Sequence, residues 1–161
     1  MNHEEVCRIY EEQGPALLAY GCALIGVRAA AQEVLHNVFL KLMDSNHDIS
    51  DPVPYVFRML RNAALNVMRN DARFVSLDNG CAWFEPINLM REKALAVQEA
   101  LLKLSSEQRE VVVLHIWSGM TFVEIAALVD IPRDTAASRY RYALERLREL
   151  LRDLEVSDEQ I

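Results

Sequence analysis

The sequence is poor in punctuation and cross-links. It holds five glycines and five prolines in 161 residues, and helix formers dominate, which favours an all-α chain. Its three cysteines, Cys7, Cys22 and Cys81, are odd in number and widely spaced. That pattern excludes a disulfide framework or a cysteine metal site and fits free thiols in a reducing cytoplasm. No apolar run approaches the roughly 18 residues that read as a membrane span. The start, Met1-Asn2-His3-Glu4-Glu5, is acidic and lacks the basic and apolar stretches of a signal peptide. His3, His36, His47 and His115 fall on separate segments, and no nucleophile or ligand cluster accompanies them. An enzyme, a metal and a cofactor are therefore not expected. A basic segment is missing as well. Residues 1–75 hold seven bases and nine acids, residues 76–104 three and four, and residues 105–161 seven and eleven. Any nucleic-acid contact must rest on a local patch, with a protein partner supplying most of the affinity.

What the chain does have is helical periodicity. A first helix is predicted over Glu4–Gln13, and Gly14-Pro15 separates it from a second that runs to about Gly26. A third spans about Arg28–Met43, with Ala31, Val34, Leu35, Val38 and Leu42 inward and Gln32, Glu33, His36, Asn37 and Leu40 outward. The outward Leu40 suits a protein contact. A polar loop follows, with Asp44, Asp48 and Asp51. A fourth helix, opened by Asp51 or Pro54, runs to about Asn70; Val56, Leu60, Ala63, Ala64, Val67 and Met68 face its core. Arg58, Arg61 and Arg69 make it basic. Periodicity then fails, and residues 72–88, with Asn79-Gly80, Trp83, Phe84 and Pro86, read as a linker. The organisation expected is all-α: a helical domain over residues 1–71, the linker, and a four-helix domain over residues 89–161.

The second domain opens with a helix from about Asn88 to Leu104. A capping box at Ser105-Ser106-Glu107-Gln108 starts the next, apolar on most sides from Val111 to Trp117, with Gly119 as its C-terminal cap. Thr121-Phe122-Val123-Glu124 is a further capping box, and its short helix carries Ile125, Ala126 and Val129 on one side. Asp130 to Arg133 breaks it, and Asp134 or Thr135 caps a long final helix. Two helices joined by about four residues form a helix-turn-helix signature. On the final helix Tyr140, Ala143, Leu144, Leu147, Leu150, Leu151 and Leu154 make an apolar stripe. Thr135, Ser138 and Tyr142 lie opposite, flanked by Arg139 and Arg146 on one side and Arg141 and Arg148 on the other. From Arg133 to Arg148 the local balance is five arginines against Asp134 and Glu145. Small hydroxyls between arginines suit a helix in the major groove.

Several motifs together, Leu104-Ser105-Ser106-Glu107-Gln108-Arg109-Glu110-Val111, Glu124-Ile125-Ala126, Ile131-Pro132, Ser138-Arg139 and Ala143-Leu144-Glu145-Arg146-Leu147-Arg148, resemble the promoter-binding domain of bacterial sigma factors. The short chain with two helical units resembles the extracytoplasmic-function (ECF) group of the sigma-70 family. Glu33 to Leu40 is similar to that group's polymerase-binding helix. Tyr55, Arg58, Asn62 and Arg69 fall where its next helix has an aromatic, a base, an asparagine and a base. The resemblance implies a transcription initiation factor whose partners are core RNA polymerase, promoter DNA and, in this group, an anti-sigma factor. Carried over by position, Glu33, His36, Asn37 and Leu40 face polymerase. Arg58, Arg61, Asn62 and Arg69 lie at the minus-ten element. Arg133, Thr135, Ser138, Arg139, Arg141, Tyr142 and Arg146 lie at the minus-thirty-five element.

The chain also departs from that pattern. Ala29-Ala30-Ala31-Gln32 replaces an acidic cluster, and His36 and Asn37 replace a glutamine and an acid. Asp134, Ala136 and Ala137 alter the recognition turn, Asn66 stands for an aspartate, and Tyr142 stands for an arginine. The loop expected to capture an unpaired base carries Asp44, Asp48 and Asp51, which repel phosphates. Two other readings stay open: a sigma-like helical protein acting mainly through protein binding, and an operator-binding regulator using the helix-turn-helix alone.

Overall fold

The computed structural model describes residues 1–46, 48–70 and 91–158, and every regular element among them is an α-helix. The helices fall into two compact units, divided between residues 81 and 82. That division lies within residues 71–90, so the predicted linker, with Trp83 and Phe84, falls outside the described residues, as do the first residues of the helix expected from Asn88.

The first unit is three mutually packed helices: α1 (His3–Ile25), α2 (Arg28–Asp44) and α3 (Pro52–Asn70). Sequence reading predicts two helices where α1 is one. Pro15 sits inside α1 and does not end it. Apolar residues on both sides of Gly14-Pro15 stay in helical phase: Val6 and Ile9 before, Leu17 and Tyr20 after, all buried. Burial of that shared face outweighs the one backbone bond that proline removes. Asn2 caps the start, accepting from the Glu5 N–H at 2.8 Å, and Gly26 ends α1 in the left-handed region at φ 81°. Gly21 lets α1 approach α2, since a Cβ there would meet the Ala31 Cβ at 3.3 Å.

In α2 the predicted inward residues are all buried. Pro52 supplies the first turn of α3, where the missing N–H costs nothing. The core side of α3 is narrower than predicted. Val56, Leu60 and Ala64 are buried, Ala63 and Val67 half-buried, and Met68 is exposed. Phe57 is fully buried instead, its ring 5.9 Å from Tyr20. The three-helix seam closes over Phe57 and does not extend to Met68.

The second unit contains α4 (Arg91–Leu102), α5 (Ser106–Ile116), α6 (Phe122–Val129) and α7 (Arg133–Asp158). Arg109 ties α5 to the end of α4. Its Nε donates to the Leu101 carbonyl at 3.0 Å, and its Nη2 to those of Leu104 at 3.2 Å and Leu102 at 3.4 Å. Val111 to Leu114 are fully buried, but the apolar girdle ends earlier than predicted: Ile116 is exposed and Trp117 half-buried. The helix caps at Trp117, and Gly119, at φ 65°, turns the chain two residues later. No described helix is long and apolar enough to cross a membrane.

Candidate nucleic-acid interface

The helix-turn-helix is built as its capping chemistry dictates. Thr121 Oγ1 accepts from the Glu124 N–H at 3.2 Å, and Glu124 Oε2 accepts from the Thr121 N–H at 2.8 Å, so both halves of the box are present. At Ser105 the cap bond from the Gln108 N–H is made, at 3.2 Å. Asp130 ends α6 in the left-handed region, at φ 58° and ψ 55°, and the Ile131 N–H returns to the Ala126 carbonyl at 3.0 Å. α7 starts earlier than predicted. The Pro132 carbonyl accepts from the Ala136 N–H at 3.1 Å, so Asp134 and Thr135 lie within the first turn rather than capping it. There Asp134 complements the positive end of the helix.

This start sets which residues α7 buries. Ala136 and Ala143 are fully buried, with Leu147 and Leu150 nearly so. Tyr140, Leu144 and Leu151 are half-buried, and the Leu154 side chain lies outside the described residues. Ala136 belongs to the core, though its sequence signal was only the spacing to Tyr140 and Ala143. At 100° per residue, Thr135, Ser138, Arg139 and Tyr142 fall within an arc of about 100° that lies beside that core, with Arg139 nearest to it. Thr135, Ser138 and Arg139 are half-buried, and Tyr142 is 53% exposed with the Arg141 guanidinium over its ring at 5.0 Å.

The flanking arginines differ in their local partners. Arg133 meets Asp134 at 3.5 Å and Arg146 meets Glu149 at 3.1 Å, both on the surface. Such pairs are weak enough to exchange for phosphates. Arg139 also acts on Glu107 at the head of α5. A backbone N–H first, then the Ser106 hydroxyl, then the Arg139 charge hold the Glu107 carboxyl below the usual carboxylate range.

The predicted residues of the first unit form two surfaces. Arg58, Asn62 and Arg69 share one side of α3 within about 40°, and Arg61 lies to its flank. Asn62 and Arg69 border an open groove between α2 and α3 that Lys41 and Asn66 also line. Sequence reading did not include Lys41; its signal was a position four residues beyond Asn37, toward α3. On α2, Glu33, His36, Asn37 and Leu40 are all exposed on one arc. Leu40 is 47% exposed and Met43, one turn on and not predicted, extends its apolar surface at 43%. Asp44, expected in the loop, is the exposed last residue of α2, and Asp48 and Asp51 are exposed in the loop that follows.

Comparison with known proteins bears on the fold. The family model "Sigma-70, region 4" matches residues 100–149, covering α5, α6 and most of α7. Over 161 residues the chain is 26% identical to the ECF RNA polymerase sigma factor SigL of Mycobacterium tuberculosis, in three strains, covering 92% of this chain and 90% of that protein. Among solved structures it is similar to the sigma factor RpoE of Bartonella quintana, crystallised in complex with the anti-sigma factor NepR. The TM-score is 0.76 at 26% identity, covering 92% of this chain and 98% of that one.

Proposed function

Because the chain belongs to the ECF group of the sigma-70 family, we propose that it docks on core RNA polymerase through the exposed side of α2 and reads promoters with α3 and α7. It is a transcription initiation factor. Bond-making belongs to polymerase, and this chain contributes recognition in the cytoplasm, where polymerase works. The observation that carries the assignment of α7 is the arc of half-buried Thr135, Ser138 and Arg139 with exposed Tyr142, on a helix seated by a fully capped partner. Hydroxyls and a guanidinium reach base edges there, while Arg133, Arg141 and Arg146 reach phosphates of the minus-thirty-five element. Arg58, Arg61, Asn62 and Arg69 face the minus-ten element. Glu33, His36, Asn37 and Leu40 face polymerase. An anti-sigma partner competes for such surfaces, a reading supported by the NepR-bound relative. In domain terms, residues 1–71 recognise polymerase and the downstream element, residues 72–88 link, and residues 89–161 recognise the upstream element.

A reconstituted run-off assay tests this. Core polymerase, the protein and pooled promoter fragments from the host are combined, and transcripts are sequenced. Discrete starts that require the protein, sharing two upstream elements, are expected. Co-elution with polymerase without any start would favour the second reading, a sigma-like protein that acts by protein binding; the exposed acids Asp44, Asp48 and Asp51 are the feature that favours it. Dimerisation and a palindromic site would favour the operator-binding alternative.

A further inference from the structure

We propose that His115 is a positioning residue for promoter reading: through Tyr140 it fixes the roll of α7, and so determines which side chains face the base edges. This rests on the reading above, in which α7 enters the upstream element. His115 lies in the last turn of α5, half-buried. Its Nδ1 is 2.7 Å from the Met120 carbonyl. A carbonyl only accepts, so Nδ1 carries the proton and the ring plane is fixed. One side of the ring stacks on Phe122, with centroids 4.6 Å apart and planes at 15°. Tyr140 meets it edge-on, at 4.6 Å and 69°, and Phe122 and Tyr140 meet at 5.4 Å. One imidazole thus joins the end of α5, the residue before the Thr121 cap, the first residue of α6 and the second turn of α7.

The other seats of α7 near the reading arc are Ala136 and Ala143. A methyl group resists separation of two helices, but it has little preference for their rotation. Rings packed edge-to-face do, because their quadrupoles favour particular angles. Tyr140 lies about 140° around the helix from Thr135, off the arc that faces DNA, so it acts without touching a base. A roll of about 10° displaces a group ~6 Å from the helix axis by ~1 Å. That is enough to misalign a hydrogen bond to a base edge.

The test uses the full chain with core polymerase in the run-off assay, scoring upstream and downstream base preferences separately. Three variants are compared with the wild type. His115→Asn keeps a donor near the Met120 carbonyl but removes the ring, Tyr140→Leu keeps bulk but removes the ring, and Tyr140→Phe keeps the ring. The first two are expected to lower discrimination between the best upstream element and its single-base variants by about tenfold. Downstream preferences should be kept, and Tyr140→Phe should behave as wild type. Folded ring-loss variants with an unchanged upstream profile would overturn the proposal. So would equal upstream and downstream losses that follow the folded fraction in thermal melts, since that is the signature of stability alone. If the wild type gave no starts, the promoter reading would fail and this inference with it, whereas a failure confined to the variants leaves that reading standing.

Discussion

A guanidinium set against a helix C-terminus can answer several carbonyls at once, and Arg109 does so for Leu101, Leu102 and Leu104. Burial pushes its pKa down from the usual value, yet arginine stays charged. Arg109→Ala should destabilise the fold by ~1.5–3 kcal/mol in urea titration, as expected for hydrogen bonds made by a charged group. Arg109→Lys should recover only part, because an ammonium lacks the fork. Glu107 gives a pH prediction. Its folded pKa is lowered, so its contribution is complete above the unfolded value of about 4.3 and is lost as pH falls through the folded one. Melting temperature followed from neutral to acid pH should fall less for Glu107→Gln than for wild type. Arg139→Ala should weaken binding of the polymerase complex to its upstream element by ~1–3 kcal/mol if the side chain reads a base. Its circular dichroism should match wild type, and unchanged promoter affinity would remove Arg139 from the reading face.

At the scale of elements, α1 comes close to α2 at Gly21 and Ala31. Gly21→Ala gains about 1 kcal/mol of helix propensity and crowds a methyl by a few tenths of an ångström, so its net effect should be small. Gly21→Leu has no space and should cost ~1–3 kcal/mol through overpacking, read as a lower midpoint of thermal unfolding. Which elements the sequence revealed follows from how local their causes are. The box at Thr121 and the inward stripe of α2 each lie within a few residues and are present as predicted, and at Ser105 the serine half of the predicted box is made. Gly14-Pro15 looked like a boundary because the competing cause, one buried face shared along α1, is tertiary. Pro132 as the residue before α7 was hidden by Asp134 and Thr135, which are better capping types. Phe57 and Ala136 were missed as core residues for a similar reason. Both are in phase with their stripes, Phe57 three residues before Leu60 and Ala136 four before Tyr140, but each stands near the N-terminal end of the run, where only a neighbouring helix decides that it is covered. The ring cluster at His115 joins three helices, so no window of sequence could display it.

For the whole molecule, the governing fact is a net charge of −7 with no basic segment. The free chain should bind promoter DNA weakly and lose that binding steeply with added salt, while the polymerase complex should be less sensitive. On the proposed docking, affinity should then be set by the protein surface on α2. Leu40→Glu should reduce retention on immobilised core polymerase while leaving the melting temperature unchanged, because Leu40 is 47% exposed and supports no core. Unaltered retention would locate the polymerase surface elsewhere. The surfaces proposed as interfaces in the first unit were legible in outline as exposed faces, because such faces follow from helical phase once the buried stripe is known. Their extent was not: Met43 and Lys41 join them only because α2 ends, and α3 packs, where they do.

The left-handed turn at Asp130 bears on how this molecule can drift over generations. Most side chains at φ 58° carry a steric penalty, which glycine escapes and asparagine and aspartate tolerate. Neutral variation at this position is therefore confined to a small alphabet, and a lineage that left it would lose the angle at which α7 departs before any contact to DNA had changed. Homologues should keep glycine, asparagine or aspartate here even where their reading residues diverge, so that the hinge of the motif ages more slowly than the words it reads.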